Sequence, residues 1–114
     1  MVFFGISDSP IQDLGSLKKV KGDFWITRYN DYLRLFSLNP LIEVGGNLTI
    51  NDRNIVSLGT VEKVKGNLNL RKSVITDLGA LKFVGGNFLG RREVFQDFDF
   101  TNIEIKGKIK LYKD

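Results

Sequence analysis

Histidine and cysteine are both missing from this chain. Without histidine it lacks the side chain that most often serves as a general base near neutral pH, and also the commonest metal ligand. Without cysteine there are no disulfides and no thiolate metal sites. No serine or threonine can pair with a histidine for nucleophilic catalysis, and no glycine opens a Gly-Lys-Ser/Thr phosphate loop. Long apolar runs are missing as well, so no membrane span is expected. The opening Met1-Val2-Phe3-Phe4 is short and has no basic lead, unlike a secretory signal. Together these absences point away from an enzyme and from any cofactor or metal.

What is present is ordinary in kind. The 114 residues read as one domain, 1–114, with 42% hydrophobic and 26% charged residues. A repeat protein of that length has a narrow core. The formal net charge is +4, which favours acidic partners, either nucleic acid or an acidic protein surface. Lysine outnumbers arginine by 11 to 6, and asparagine and phenylalanine are plentiful, a usage that fits an AT-rich bacterial or viral coding background.

One short phrase recurs five times. It reads Val20-Lys-Gly22-Asp-Phe24-Trp-Ile26, Val44-Gly-Gly46-Asn-Leu48-Thr-Ile50, Val64-Lys-Gly66-Asn-Leu68-Asn-Leu70, Val84-Gly-Gly86-Asn-Phe88-Leu-Gly90 and Ile105-Lys-Gly107-Lys-Ile109-Lys-Leu111. The steps between the glycines are 24, 20, 20 and 21 residues. A period near twenty predicts stacked coils that share one core. Apolar residues two apart predict a half-buried strand in each coil, near 2–7, 22–27, 46–51, 66–71, 86–91 and 105–112. Between strands, Ile55, Leu58, Val61 and Val64 are spaced by three, as are Ile75, Leu78, Leu81 and Val84. That spacing suits a tight 3₁₀-like turn or a bent extended segment. Gly15, Gly59 and Gly79 recur at one turn position and predict positive φ, with Asn39 in the same place ahead of Pro40.

The frame Leu-x-x-Val-x-Gly-x-Leu-x-Ile, with Ile-x-x-Leu-Gly-x-Leu between strands, resembles leucine-rich repeats of the receptor L-domain kind from about Val2 to Leu111. The resemblance implies a mainly β, right-handed parallel β-solenoid of about six coils used for recognition. Receptor L-domains carry cysteine caps, which this chain lacks, so an extracellular receptor role does not follow. Small cysteine-free repeat proteins of bacteria and phages are similar in style. That likeness implies a cytoplasmic protein, in the host cell if phage-encoded. By analogy it also implies an inhibitor of a host defence effector of the anti-CRISPR type.

The outward face carries the candidate site. Its columns run Asp23, Asn47, Asn67, Asn87, Lys108; then Trp25, Thr49, Asn69, Leu89, Lys110; then Thr27, Asn51, Arg71, Arg91, Tyr112. The partner-binding candidates are Trp25, Arg71, Lys72, Leu89, Arg91 and Arg92, joined by Arg28, Tyr29, Tyr32 and Arg34 from an insertion at 28–37 that accounts for the 24-residue step. Each has a plain alternative. The asparagines can bond one another and turn backbones, the arginines can form a solvated edge, and the insertion can fold back over the core. Residues 91–114 read as a C-terminal cap, with Ile103, Ile105, Ile109 and Leu111 inward. Asp97, Asp99, Asn102 and Glu104 loosely resemble a calcium loop without its central glycine. Val2, Phe3 and Phe4 open the stack with no coil before them, an edge suited to a homodimer or a partner strand.

Two functions stay open on this reading. One is a protein-binding module that acts by occupying a surface. The other is a basic RNA, single-stranded DNA or ribonucleoprotein binder, with Arg28, Arg53, Arg71, Lys72, Arg91, Arg92 and Lys113 as a phosphate-tracking stripe interrupted by Asp23, Asp31 and Asp52.

Overall fold

A computed structural model of the chain describes residues 4–7 by backbone, and 14–27 and 37–113 in full. The expected contacts at Arg28, Tyr29, Tyr32 and Arg34, the acid Asp31, and the edge residues Val2 and Phe3 lie outside those residues.

Each coil begins with a strand whose alternate side chains are apolar. These strands are β1 (Phe4–Ser7), β3 (Phe24–Thr27), β5 (Leu48–Asn51), β7 (Leu68–Asn69), β9 (Phe88–Arg91) and β11 (Ile109–Tyr112). They pair in parallel in the order β1-β3-β5-β7-β9-β11, with Phe24 opposite Leu48, Leu48 opposite Leu68 and Leu68 opposite Phe88. All four of these side chains are buried, as are Ile26, Ile50 and Leu70. The result is a β-solenoid of about four turns.

A second parallel sheet runs β10-β8-β6-β4-β2 and was not anticipated. Its members are β2 (Lys19–Val20), β4 (Glu43–Val44), β6 (Lys63–Val64), β8 (Phe83–Val84) and β10 (Glu104–Ile105). Two-residue strands offer no alternation to read, which is why the frame's leading valine did not announce them. Between the sheets the three-residue spacing closes single turns: the N–H groups of Leu41, Val61 and Leu81 donate to the carbonyls of Leu38, Leu58 and Leu78 at 2.9, 3.1 and 3.1 Å. Gly15, Gly59 and Gly79 take φ of 62°, 57° and 55°, the left-handed conformation their recurrence implied. Just ahead of this turn, Ser37, Ser57 and Asp77 accept from the backbone N–H groups of Asn39, Gly59 and Gly79.

The recurrent Gly-Asn pair has one cause. The Oδ1 atoms of Asp23, Asn47, Asn67 and Asn87 each accept the backbone N–H one coil on, from Asn47, Asn67, Asn87 and Lys108, all at 2.8 Å. Each oxygen occupies the place where a Cβ would stand on the next coil's glycine; at Gly66 that added atom would collide with the Asn47 oxygen and lie 2.8 Å from the Gly46 carbonyl. The alternative of an asparagine ladder is therefore the one realised.

The last coil departs from the repeat in two ways. Gly90 stands at an inward position, and the short helix α1 (Arg92–Phe95) that follows β9 drops Phe95 into the vacated space. A Cβ at Gly90 would meet Phe95 Cδ2 at 2.7 Å and Phe88 Cε1 at 2.9 Å. Phe95 packs edge-on to Phe88 at 5.0 Å, and Phe98 and Phe100 join them. Ile109, expected inward, is 44% exposed, while Ile103, Ile105 and Leu111 are only half-buried. Ile109 pairs in register with Phe88, but no described strand stacks beyond β11 to cover it.

Replacing the ladder oxygen tests this architecture. Asn67→Ala should lower stability by about 1 kcal/mol, the net worth of one hydrogen bond, and Asn67→Asp should lose less because an acceptor remains. Urea unfolding with an unchanged slope measures both. Gly90→Ala should cost about 1–3 kcal/mol in the same assay, since the methyl group has to displace a packed ring.

Candidate functional site

The carboxyl ends of β5 and β7 lead into turns whose backbones are tied down by buried polar groups, while β9 runs into α1. After β5, Asp52 is 1% exposed and its Oδ2 accepts from the N–H groups of Asn54 and Ile55, both at 2.9 Å. After β7, Ser73 is 3% exposed; its hydroxyl donates to the Leu70 carbonyl at 3.0 Å and accepts from Ile75 N–H at 3.3 Å. With these residues turned inward, Arg53, Arg71 and Lys72 project to solvent.

Here the side chains converge on a cleft of about 360 Å³ lined by Asn51, Arg53, Arg71, Lys72, Ser73, Val74 and Arg91. An adjoining hollow adds Thr49 and Asn69 to the same Asn51, Arg71 and Lys72. Two of the guanidinium groups are held in place. The Arg71 group lies 3.8 Å from the Tyr112 ring centroid, a cation–π stack. Arg91 bonds the Glu93 carboxylate and approaches the Ser73 carbonyl at 3.5 Å. No acid is among the residues that line the cleft. On the second sheet the balance differs: Lys65 pairs with Glu43 at 3.6 Å, Lys82 with Glu62 at 3.8 Å and Lys106 with Glu104 at 2.8 Å.

Of the residues singled out in the sequence, the structure brings Arg71, Lys72 and Arg91 together. Arg92 is exposed at the start of α1, next in sequence to the cleft. Leu89 is half-buried between Asn69 and Lys110 in the outward column. Trp25, 36% exposed, stands opposite Thr49 in the same column. Phe4 is placed by backbone opposite Phe24, on the strand at one edge of the sheet.

In the sequence Arg53 belongs only to the phosphate-tracking stripe, and no pattern marks Ser73 or Val74. The turns after β5 and β7 differ, so counting columns along the strands did not carry across them. Two of the acids thought to interrupt the stripe do other work. Asp52 is buried on turn backbone, and Asp23 begins the ladder. In the calcium-like run, Asp99 accepts from both the backbone N–H and the hydroxyl of Thr101, and no three His, Cys, Asp or Glu side chains placed to hold a metal ion occur among the described residues.

Comparison with protein-family models, with curated proteins and with solved structures gives no match. The case for function accordingly rests on this chain's own geometry.

The Thr101 hydrogen bonds hold the Asp99 carboxyl below its ordinary pKa, and the Glu104 carboxylate beside Lys106 raises that amine. A lowered carboxyl contributes stability above its unfolded value and loses it as pH falls through the folded one. Thr101→Ala should move the Asp99 pKa upward toward that of a free side chain and flatten this part of the acid limb. A carboxyl NMR titration reads the shift directly.

Proposed function

We propose that the chain is a non-enzymatic recognition module that docks an acidic protein surface on the outward face of its long sheet. The observation that carries this reading is the convergence of Arg53, Arg71, Lys72 and Arg91 on one cleft above buried, hydrogen-bonded turns. Fixed cations on a rigid scaffold lose little entropy when they meet an acidic partner, and they steer its approach. Trp25 and Leu89 supply apolar contact on the same face, and the segment with Arg28, Tyr29, Tyr32 and Arg34 would extend it. The repeated Leu-x-x-Val-x-Gly frame supports kinship with leucine-rich repeats of about six coils. In its narrowest form the proposal is a phage-type inhibitor that blocks a host defence effector by steric occupation, a form suited to a small chain without histidine or cysteine.

One observation favours a second reading, a nucleic-acid or ribonucleoprotein binder. The Arg71 guanidinium stacked on Tyr112 resembles the platforms on which bases stack.

Arg53→Glu combined with Lys72→Glu tests the first reading by affinity capture and then titration of the purified partner. Both residues are exposed, so stability should stay within about 0.5 kcal/mol while capture is lost. Undiminished capture would remove the sheet-end face from the interface. A gel shift across salt tests the second reading, which requires affinity that falls steeply as salt rises. No shift at low salt would end it.

A further inference from the structure

We propose that the cleft is a binding site for a phosphate monoester, presented as a phosphorylated side chain of the protein partner. The proposal rests on the protein-binding reading only for the source of the phosphate. The site's chemistry stands on the cleft itself.

Three guanidinium groups, one ammonium and the Asn51 amide surround a space of about 360 Å³, with no acid in its lining. That is more donor capacity than one carboxylate can use. A phosphate monoester carries about −1.5 to −2 charge and three strong acceptor oxygens, which suits several charged donors at once. The arginines are also prepared for it. Tyr112 holds the Arg71 guanidinium, whose planar fork therefore needs little reordering to bind oxygen atoms in pairs, while Ser73 O and Glu93 fix Arg91 at the edge of the cleft. The hydroxyl of Ser73 is engaged with Leu70 and Ile75, and Val74 adds an apolar wall.

The placement favours one anionic group over a nucleic-acid backbone. The line of strand ends runs Thr27, Asn51, Arg71, Arg91, Tyr112, with cations at two neighbouring rungs about 4.8 Å apart and neutral residues on either side. A strand of nucleotides would call for charge that continues along the stack. Among the described residues, Arg53, Arg71, Lys72 and Arg91 gather around one hollow.

Isothermal titration calorimetry of the full chain tests this, at constant ionic strength in chloride. The probes are inorganic phosphate, acetate, a short phosphoserine peptide with its unphosphorylated twin, and a ten-nucleotide single strand of DNA. Phosphate and the phosphopeptide should bind one-to-one and at least tenfold tighter than acetate or the unmodified peptide. Arg53→Gln and Arg71→Gln should each weaken phosphate about tenfold, the worth of one charge-assisted hydrogen bond, with an unchanged unfolding midpoint for Arg53→Gln and a small fall for Arg71→Gln, which loses its stack on Tyr112. Lys82→Gln on the second sheet should bind as the parent does. An absence of saturable phosphate and phosphopeptide binding, or binding indifferent to Arg53 and Arg71, overturns the proposal. Capture of a protein partner would still be read by its own assay. DNA that binds far more tightly than phosphate and gains with length overturns the phosphoprotein assignment. Phosphate binding retained while partner capture fails would instead sink the protein-docking reading alone.

Discussion

The arrangement depends on a side-chain oxygen reaching one coil forward. Asp23, Asn47, Asn67 and Asn87 each cap the backbone of the next coil, and each next coil supplies a glycine so that the oxygen can enter. Glycine and the Asx residue are therefore one device split across two coils. Its energetic share is modest, about 1 kcal/mol per bond, whereas burying each leucine or phenylalanine contributes about 1.5–3 kcal/mol. What the ladder supplies is registration. In a strand, a slip of one residue would turn every inward Leu, Ile and Phe to solvent. A bond that fits only at the Gly-Asx step opposes that slip where the core by itself is greasy and permissive.

Registration then explains how the stack ends. Leu-sized side chains fill the interior as long as another coil follows. At β9 the next layer comes partly from α1 and the phenylalanines behind it, so the core closes with Phe88, Phe95, Phe98 and Phe100 in mostly edge-to-face contact. Aromatic rings cover more area per residue than leucine and tolerate irregular surroundings, which suits a layer that the repeat no longer dictates. Gly90 belongs to this closure: it is the gap into which Phe95 fits.

Much of this was legible beforehand, and the reason is physical. A ladder that demands glycine leaves a strict mark every twenty residues, and side chains two apart mark the buried face of each strand. The positive-φ turns at Gly59 and Gly79 could be read for the same cause. Where the determining neighbour is not a repeat partner, the pattern is silent. Nothing in the run after Gly90 says that Phe95 will occupy its side of the core. Ile109 carries the inward pattern yet lies exposed, because alternation reports which face a residue takes and not whether anything covers that face. The cleft was half legible: Arg71 and Arg91 follow from strand columns, while Arg53 and Ser73 depend on turns of unequal design.

The two edges of the solenoid handle charge differently, and that contrast bears on function. Parallel stacking places equivalent positions about 4.8 Å apart, so a like-charged column is self-repelling. On the second sheet the problem is solved internally by glutamate and lysine on neighbouring coils, as in Glu43 with Lys65 and Glu62 with Lys82. At the ends of β5, β7 and β9, Arg91 is paired with Glu93 and Arg71 rests on the Tyr112 ring, while the cleft lining itself holds no acid, so solvent ions or a bound anion can ease the remaining repulsion. Any anion that binds the folded chain in preference to the unfolded one adds to its stability by mass action. The buried core and the Gly-Asx ladder do not include Arg53, Arg71, Lys72 or Arg91. On the proposed function, an anionic group of the partner would balance the cations that the chain itself leaves exposed.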